Sequence, residues 1–383
     1  MTTPSTVFVT GGSGFIGSHL LEDLSRDHLV HALARSDAAA TRVRAYGARA
    51  VRGELASVTP ADLAGVDVVV HAAALVEAWA TPAEFFATNV TGTRTLLAAA
   101  QAAGVRRFIH LACDSVLFDG RDLRRVDERA PYPARHRFPY PATKAEAERL
   151  VLAAAAPDFA PLSLRPRLVW GPRDTTLMPT LRRLVDHDRW SWLDHGRAVT
   201  STTHVKNVVH AVRLALTRGR AGEAYFIADD GERSLRQFLT ALLATSGIPL
   251  PDTSAPSWLA RPLARTVERT WRLLRLRRAP PLTAFEVALM STSVTVDTAK
   301  ARAELGYAPV VTVADGIGSL TAPDPIPEIV VRATAPHARP PGRSQGAAKR
   351  HEGSALDAGQ DDADPPAEGR GVAAPVDERA GEP

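Results

Sequence analysis

Near its start the chain passes from Val7-Phe8-Val9-Thr10, residues that favour extended backbone, through Gly11-Gly12-Ser13-Gly14-Phe15-Ile16-Gly17 into an amphipathic stretch, Ile16–Asp27. Gly12, Gly14 and Gly17 fit G-x-G-x-x-G. A strand before and a helix after supply the context that gives that spacing its meaning. Glycine permits the tight turn and lets backbone approach a ligand closely. The first N–H groups of the following helix have no acceptor within the helix and attract an anion. A pyrophosphate satisfies both conditions, so the turn predicts a bound dinucleotide, with Gly11, Gly14, Phe15, Ile16 and Gly17 against it.

The rest of the N-terminal half repeats the alternation of apolar runs and helices. Val7–Thr10, Leu29–Ala34, Val66–Ala73, Phe108–Cys113 and Leu162–Val169 are short apolar runs, separated by helical stretches such as Ala83–Ala103 and Ala142–Ala156. Near-continuous apolar strands between helices are what a parallel sheet covered on both faces requires. The expectation is an α/β fold, a doubly wound parallel sheet of Rossmann type over residues 1–170. A smaller C-terminal substrate-binding lobe is expected over 171–335, with a strand returning to the sheet near 224–227.

Within that lobe Met178–Asp188 and Leu235–Ser246 predict helices, and Ser201–Arg218 a strand end followed by a helix. Residues 256–278 carry arginines and, at roughly helical spacing, Trp258, Leu259, Leu263, Val267, Trp271, Leu274 and Leu276. Such a stretch suits a substrate-pocket cover, a subunit contact that would make a homodimer, or peripheral contact with a membrane surface. Residues 336–383 have almost no large apolar side chains and are expected to form a disordered tail.

Charge and cysteine usage narrow the classes. Forty-six basic residues are offset by 42 acidic ones, and no Lys/Arg run is interleaved with aromatics, so nucleic acid is not an expected partner. The single cysteine, Cys113, excludes an intrachain disulfide and metal sites built on several thiolates; no metal is expected. No apolar run reaches membrane-spanning length, and the N-terminus has no signal-peptide pattern, which predicts a soluble cytoplasmic protein with a small-molecule substrate.

The end of the second apolar run bears on which dinucleotide binds. An acid there accepts from a ribose 2′-OH, whereas an arginine accommodates a 2′-phosphate. The run ends Ala34-Arg35-Ser36, with the first acid at Asp37, already in the turn. Arg35 and Ser36 can both hydrogen-bond a phosphate, which favours NADP over NAD, although Asp37 remains within reach of a ribose.

A second constellation is Tyr140-Pro141-Ala142-Thr143-Lys144. Residues four apart share a helix face, so the phenol and the ammonium point the same way, and a cation beside a phenol favours its ionised form. Such a pair suits proton exchange with an alcohol or ketone.

Together these residues resemble the short-chain dehydrogenase/reductase superfamily, in particular its extended branch of NAD-dependent epimerases and dehydratases. The resemblance spans roughly residues 5–322. Thr10–Gly17 resembles the family's T-G-x-x-G-x-x-G loop. Gly53-Glu54-Leu55 resembles the G-D-L near the adenine, and His71-Ala72-Ala73-Ala74 the H-x-A-A turn under the cofactor. Asn89-Val90-Thr91-Gly92-Thr93 is similar to N-V-x-G-T, and Leu164-Arg165-Pro166 with Gly171-Pro172 to the strand and turn near the nicotinamide. His204-Val205-Lys206-Asn207-Val208 and Lys300 to Pro309 resemble late landmarks of the branch.

What the resemblance implies is an oxidoreductase in which Tyr140 is the acid/base and Lys144 binds the nicotinamide ribose and lowers the tyrosine pKa. Glu54, Leu55, Ala72, Ala73, Asn89 and Pro166 would complete the cofactor contacts. The family's substrate-binding Ser or Thr falls on Cys113, a weaker hydrogen-bonding group. Either Cys113 lines the site with Ser115 or Asp114 assisting, or Ser115 takes over, or the activity is altered.

The stretch Thr200–Asn207 lacks the acid that commonly follows H-V in nucleotide-sugar enzymes. It looks more like the 3β-hydroxysteroid dehydrogenase-like and dihydroflavonol reductase-like group. The expectation is an NAD(P)-dependent enzyme acting on a secondary alcohol or ketone of an apolar, sterol-like or polyketide-like molecule. The alternatives are an NAD-dependent nucleotide-sugar epimerase or dehydratase and a dinucleotide-sensing protein with weakened chemistry.

Overall fold

The computed structural model describes residues 5–76, 79–186, 190–276, 278–280 and 282–320. The stretch expected to be a disordered tail, 336–383, lies outside them, as do the last two residues of Met178–Asp188.

Seven strands form the central sheet: β1 (Thr6–Thr10), β2 (Leu29–Ala34), β3 (Arg49–Arg52), β4 (Val68–His71), β5 (Arg107–Leu111), β6 (Ala160–Pro166) and β7 (Glu223–Ile227). Their order is β7-β6-β5-β4-β1-β2-β3 and every neighbouring pair is parallel. The order reverses between β1 and β4. At such a switch point the loops leaving the carboxyl ends of two adjacent strands diverge and open a crevice.

Alternating side chains of each strand enter two separate cores. Val7, Val9, Val30, Ala32, Val68, Val70, Ile109 and Leu111 face one side. They pack there under α1 (Phe15–Leu24), α2 (Asp37–Ala45) and the helix Val205–Ala215. Phe8, Val69 and Phe108 face the other side and meet Leu96, Ala100 and Val151 from α3 (Gly92–Ala102) and α4 (Pro139–Ala153). Burial on both faces is the physical reason these strands are apolar at nearly every position. β3, at the sheet edge, reads Arg-Ala-Val-Arg, with only its two central residues partly buried.

The helix expected over Ala83–Ala103 is not continuous α-helix. A short helix at Pro82–Phe85 passes into a π-helical turn over Phe86–Thr91 before α3 begins. Beyond the sheet, Trp170, Trp192, Phe238 and Leu242 anchor a further apolar cluster. The amphipathic stretch forms a helix at Ser257–Leu273, here α5, followed by α6 (Ala284–Ser291).

Candidate active site

The glycine turn closes the crevice at the switch point. Gly11 has φ +73°, and a Cβ there would lie 2.8 Å from the Ala73 backbone nitrogen, so the turns after β1 and β4 are in direct backbone contact. A Cβ on Gly17 would lie 2.0 Å from the Gly11 carbonyl oxygen. Gly14 caps α1 without a side chain, and the first turn of α1 holds no acid. That end of the helix therefore presents free N–H groups and no counter-charge, which fits an anionic group such as a pyrophosphate. Phe15 stacks edge-on with His19 at 5.9 Å, and Ile16 packs on the core.

A directional chain of hydrogen bonds ties this turn to α3 and α4. The Ala73 N–H donates to Thr10 Oγ1 at 3.2 Å, and Thr10 Oγ1 meets His71 Nδ1 at 2.7 Å. His71 Nε2 meets Thr93 Oγ1 at 2.8 Å, and the Thr93 hydroxyl donates to the Asn89 carbonyl at 2.6 Å. Because Thr93 spends its proton on Asn89, His71 must donate from Nε2 and accept at Nδ1, which assigns the neutral tautomer. Burial, with the Lys144 charge adding to it, pushes His71 down to about 3, so the ring stays neutral.

Asn89, buried on the π-helical turn, extends the chain. Its Oδ1 accepts from the Leu75 N–H at 2.7 Å, and its Nδ2 donates to the Leu75 carbonyl and to Thr143 Oγ1, each at 3.2 Å. Thr143 in turn donates to the Tyr140 carbonyl at 3.0 Å. The Asn89 amide is thus engaged with protein groups and braces the start of α4.

Pro139 and Pro141 lie in the first turn of α4, where a missing N–H costs nothing, and they set the direction from which Tyr140 projects. The Tyr140 hydroxyl lies 3.6 Å from Cys113 Sγ. Lys144 is buried and donates from Nζ to the Leu111 carbonyl at 2.8 Å. The resemblance implies that Lys144 lowers the tyrosine, and burial acts in the opposite direction. Burial, reinforced by Cys113 and Asp114, pushes the phenol well above its ordinary value. Burial also raises the Cys113 thiol, against the pull of Lys144 and of hydrogen bonds from Tyr140 and Ser115. The thiol is therefore neutral and flanked by two hydroxyls. Asp114 points elsewhere, into a buried ion pair with Arg167 at 3.1 Å.

Aromatic rings wall the tyrosine. Phe85 lies 6.2 Å from the Tyr140 ring and Phe285, on α6, lies 5.8 Å from it, while Phe138 and Phe118 continue the cluster. Nothing in the sequence near Tyr140 signals Phe285, which is brought in by tertiary packing alone.

The other expected residues lie along the crevice or behind it. Arg35 is exposed at the end of β2, and the Ser36 hydroxyl caps α2 by accepting from the Ala39 N–H at 3.2 Å. Asp37 pairs at 3.5 Å with Arg52, which the sheet register sets opposite Ala34. Arg52 had no local signal, since only the register of β3 brings it to the end of β2. Glu54 caps a 3₁₀ turn with Ser57. Leu55 packs over Gly92 so closely that a Cβ there would lie 2.6 Å from its Cδ2. Pro166 ends β6, and Arg165 turns away from the crevice into a buried pair with Glu148 at 2.7 Å. Among the described residues no cluster of three or more His, Cys, Asp or Glu is arranged to hold a metal.

The late landmarks converge on Asp229, which the sequence did not single out. One of its oxygens accepts from the His204 N–H and Asn207 Nδ2, both at 2.7 Å. The other accepts from Trp170 Nε1 at 3.0 Å and Thr202 Oγ1 at 2.8 Å. Asn207 Oδ1 then receives the Val310 and Val311 N–H groups, fastening the later chain to the sheet.

Comparison with known proteins shows the family to which this fold belongs. The profile of the NAD dependent epimerase/dehydratase family matches residues 7–228. The chain is 45% identical, over 82% of its length and 95% of the relative's, to a 4-hydroxy-2-methyl-3-oxo-4-farnesyl-3,4-dihydroquinoline-1-oxide ketoreductase of Stigmatella aurantiaca. It is 32% identical to 3beta-hydroxysteroid-dehydrogenase/decarboxylase isoform 1 of Arabidopsis thaliana, over 81% of this chain and 77% of that one. Among solved structures, the dTDP-glucose 4,6-dehydratase of Streptomyces venezuelae with NAD bound superposes with a TM-score of 0.64. It is 27% identical over 82% of this chain and 95% of that one. The chain belongs to the NAD dependent epimerase/dehydratase family, the extended short-chain dehydrogenase/reductases, and is an NAD(P)-dependent oxidoreductase.

Proposed function

We propose that this protein reduces a ketone of an apolar, sterol-like or polyketide-like molecule to a secondary alcohol, with NADP preferred over NAD. The observation that carries the reading is the Tyr140 hydroxyl, 3.6 Å from the Cys113 thiol and walled by Phe85 and Phe285. An aromatic wall suits an apolar substrate, since it offers nothing to the hydroxyls of a sugar. The Stigmatella aurantiaca relative, a ketoreductase by name whose substrate carries a farnesyl group, supports the same substrate class.

The dinucleotide, when bound, supplies the hydride. Gly11, Gly14, Phe15, Ile16 and Gly17 would hold its pyrophosphate on the N-terminus of α1, with Leu55, Ala72 and Ala73 along the crevice. Arg35 and Arg52 offer two guanidinium groups to a 2′-phosphate, and Arg52 lies 3.5 Å from Asp37, the first acid after the end of β2. Glu54 and Pro166 would border the two ends of the cofactor, and Lys144, with donors to spare beyond Leu111, would hold the nicotinamide ribose.

Tyr140 acts as the acid. The Tyr140 phenol is protonated at neutral pH and gives its proton to the carbonyl oxygen as charge develops there. Cys113 and Ser115 orient that oxygen with weak and stronger hydrogen bonds respectively. Asn89 and His71 keep α4 and the glycine turn in register.

The test is titration of the purified protein with NADPH and NADH, followed by a panel of apolar ketones. Tyr140→Phe is expected to lower kcat by about a hundredfold or more with dinucleotide affinity retained, and Arg35→Ala with Arg52→Ala to erase the preference for NADPH. Undiminished turnover by the phenylalanine variant would remove Tyr140 from the chemistry. Conversion of a dTDP- or UDP-sugar without net cofactor use would replace the substrate class.

A further inference from the structure

We infer that the outer face of α5 docks on an anionic lipid bilayer. The inference goes beyond the substrate reading and does not depend on it. Three leucines and a tryptophan on this helix are turned outward: Trp258 is 74% exposed, Leu259 53%, Leu263 58% and Leu273 82%. Leu259, Leu263, Thr266, Thr270 and Leu273 recur at steps of three and four residues and so form one stripe along the helix. Isolated exposed leucines are ordinary, but a stripe this long on one helix is not.

Two further observations specify what covers it. The hydroxyls within the stripe are already spent: Thr266 Oγ1 donates to the Pro262 carbonyl at 3.1 Å and Thr270 Oγ1 to the Thr266 carbonyl at 3.0 Å. The stripe therefore exposes no donor that must be hydrated, which is what an apolar phase tolerates. Along its edge Arg265 and Arg269 are exposed and have no ion-pair partner among the described residues. The one acid of the helix, Glu268, is turned inward and binds Arg272 at 2.9 Å and the Ala284 N–H at 3.1 Å. An apolar face with Arg265 and Arg269 along one edge, and with the helix's acid turned away from it, complements a surface that is apolar inside and negative outside. A symmetric contact with a second copy would instead bring arginines together with no acid on the face to receive them.

The inner side of the same helix leads to the site. Through Glu268 it holds the start of α6, whose Phe285 lies against Tyr140. Just beyond its end, Trp79 donates to the Leu276 carbonyl at 3.3 Å and lies under the Arg272 guanidinium. No helix of the described residues is long and apolar enough to cross a membrane, so the contact proposed is interfacial.

The full chain is to be sedimented with vesicles of phosphatidylcholine alone and of phosphatidylcholine with one-third phosphatidylglycerol. Binding is expected to the anionic vesicles, at least about tenfold stronger than to the zwitterionic ones, and to weaken with added salt. Leu259→Glu with Leu263→Glu should abolish it while NADPH binding and Tm stay unchanged, and Arg265→Gln with Arg269→Gln should remove the preference for anionic lipid. Equal binding to both vesicles, no binding, or binding unaffected by the glutamate pair would each overturn the inference. So would a wild-type dimer that the glutamate pair splits without any vesicle binding.

Discussion

Cys113 stands where the resemblance places a hydroxyl. Burial keeps it neutral, and its neighbours are the Tyr140 and Ser115 hydroxyls, so it is a weak hydrogen-bonding partner between two stronger ones. If the thiol helps to orient the substrate oxygen, Cys113→Ala should lower kcat/KM about tenfold, near 1.4 kcal/mol. Cys113→Ser should then match or exceed the wild type, because oxygen both donates and accepts better than sulfur. Steady-state kinetics on one ketone decide the matter. Equal kcat/KM for the alanine and wild-type proteins would mean that Ser115 does the work alone. The sequence showed the departure at Cys113, but only the structure shows that Asp114, its immediate neighbour, is committed to Arg167.

At the scale of elements, the glycine turn and α1 are fixed by backbone contact more than by side chains. A methyl at Gly17 would meet the Gly11 carbonyl oxygen, which is backbone and cannot rotate away, so the turn itself must move. Gly17→Ala is therefore expected to cost about 1–3 kcal/mol of stability and to weaken dinucleotide binding at least about tenfold. Thermal unfolding and a fluorescence titration with NADPH measure the two effects. A variant that kept wild-type affinity would show that the turn relaxes more freely than its packing implies. The amphipathic period of residues 256–278 was plain in the sequence, and the structure settles which of its faces is turned outward. The π-helical turn at Phe86–Thr91 was not legible, since its composition suits an ordinary helix and its extra residue per turn appears only once Asn89 reaches Leu75 and Thr143.

Across the whole molecule, His71 joins elements that are far apart in the chain, and its charge state links their packing to pH. Its native pKa, about 3, lies below the 6.5 of an unfolded histidine. Between those values the unfolded chain binds a proton that the native state refuses. The contribution of His71 is therefore fully present above pH 6.5 and is lost as the pH falls toward 3; it is on the order of a few kcal/mol. His71→Gln should be less stable at neutral pH, and its stability should fall less steeply than that of the wild type between pH 6.5 and 4. Urea midpoints at several pH values give both slopes, and equal slopes would mean that other groups dominate the acid response.

The sequence by itself determined the doubly wound sheet. Strands buried on both faces must be apolar throughout, and that demand is written locally in β1, β2, β4, β5 and β6. It also determined the glycine turn and the sharing of one helix face by Tyr140 and Lys144, because turns and helical spacing are short-range properties. Only the tertiary structure decided the rest. β3 is a polar-ended edge strand, and a separate four-stranded sheet includes strands as short as Arg233–Ser234 and Val199–Thr200, too brief to carry a pattern. Phe285 reaches Tyr140 across 145 positions of sequence, Arg52 reaches the end of β2 through sheet register, and Asp229 gathers Trp170, Thr202, His204 and Asn207. Each of these depends on which distant segments pack together, and no local run of residues encodes that.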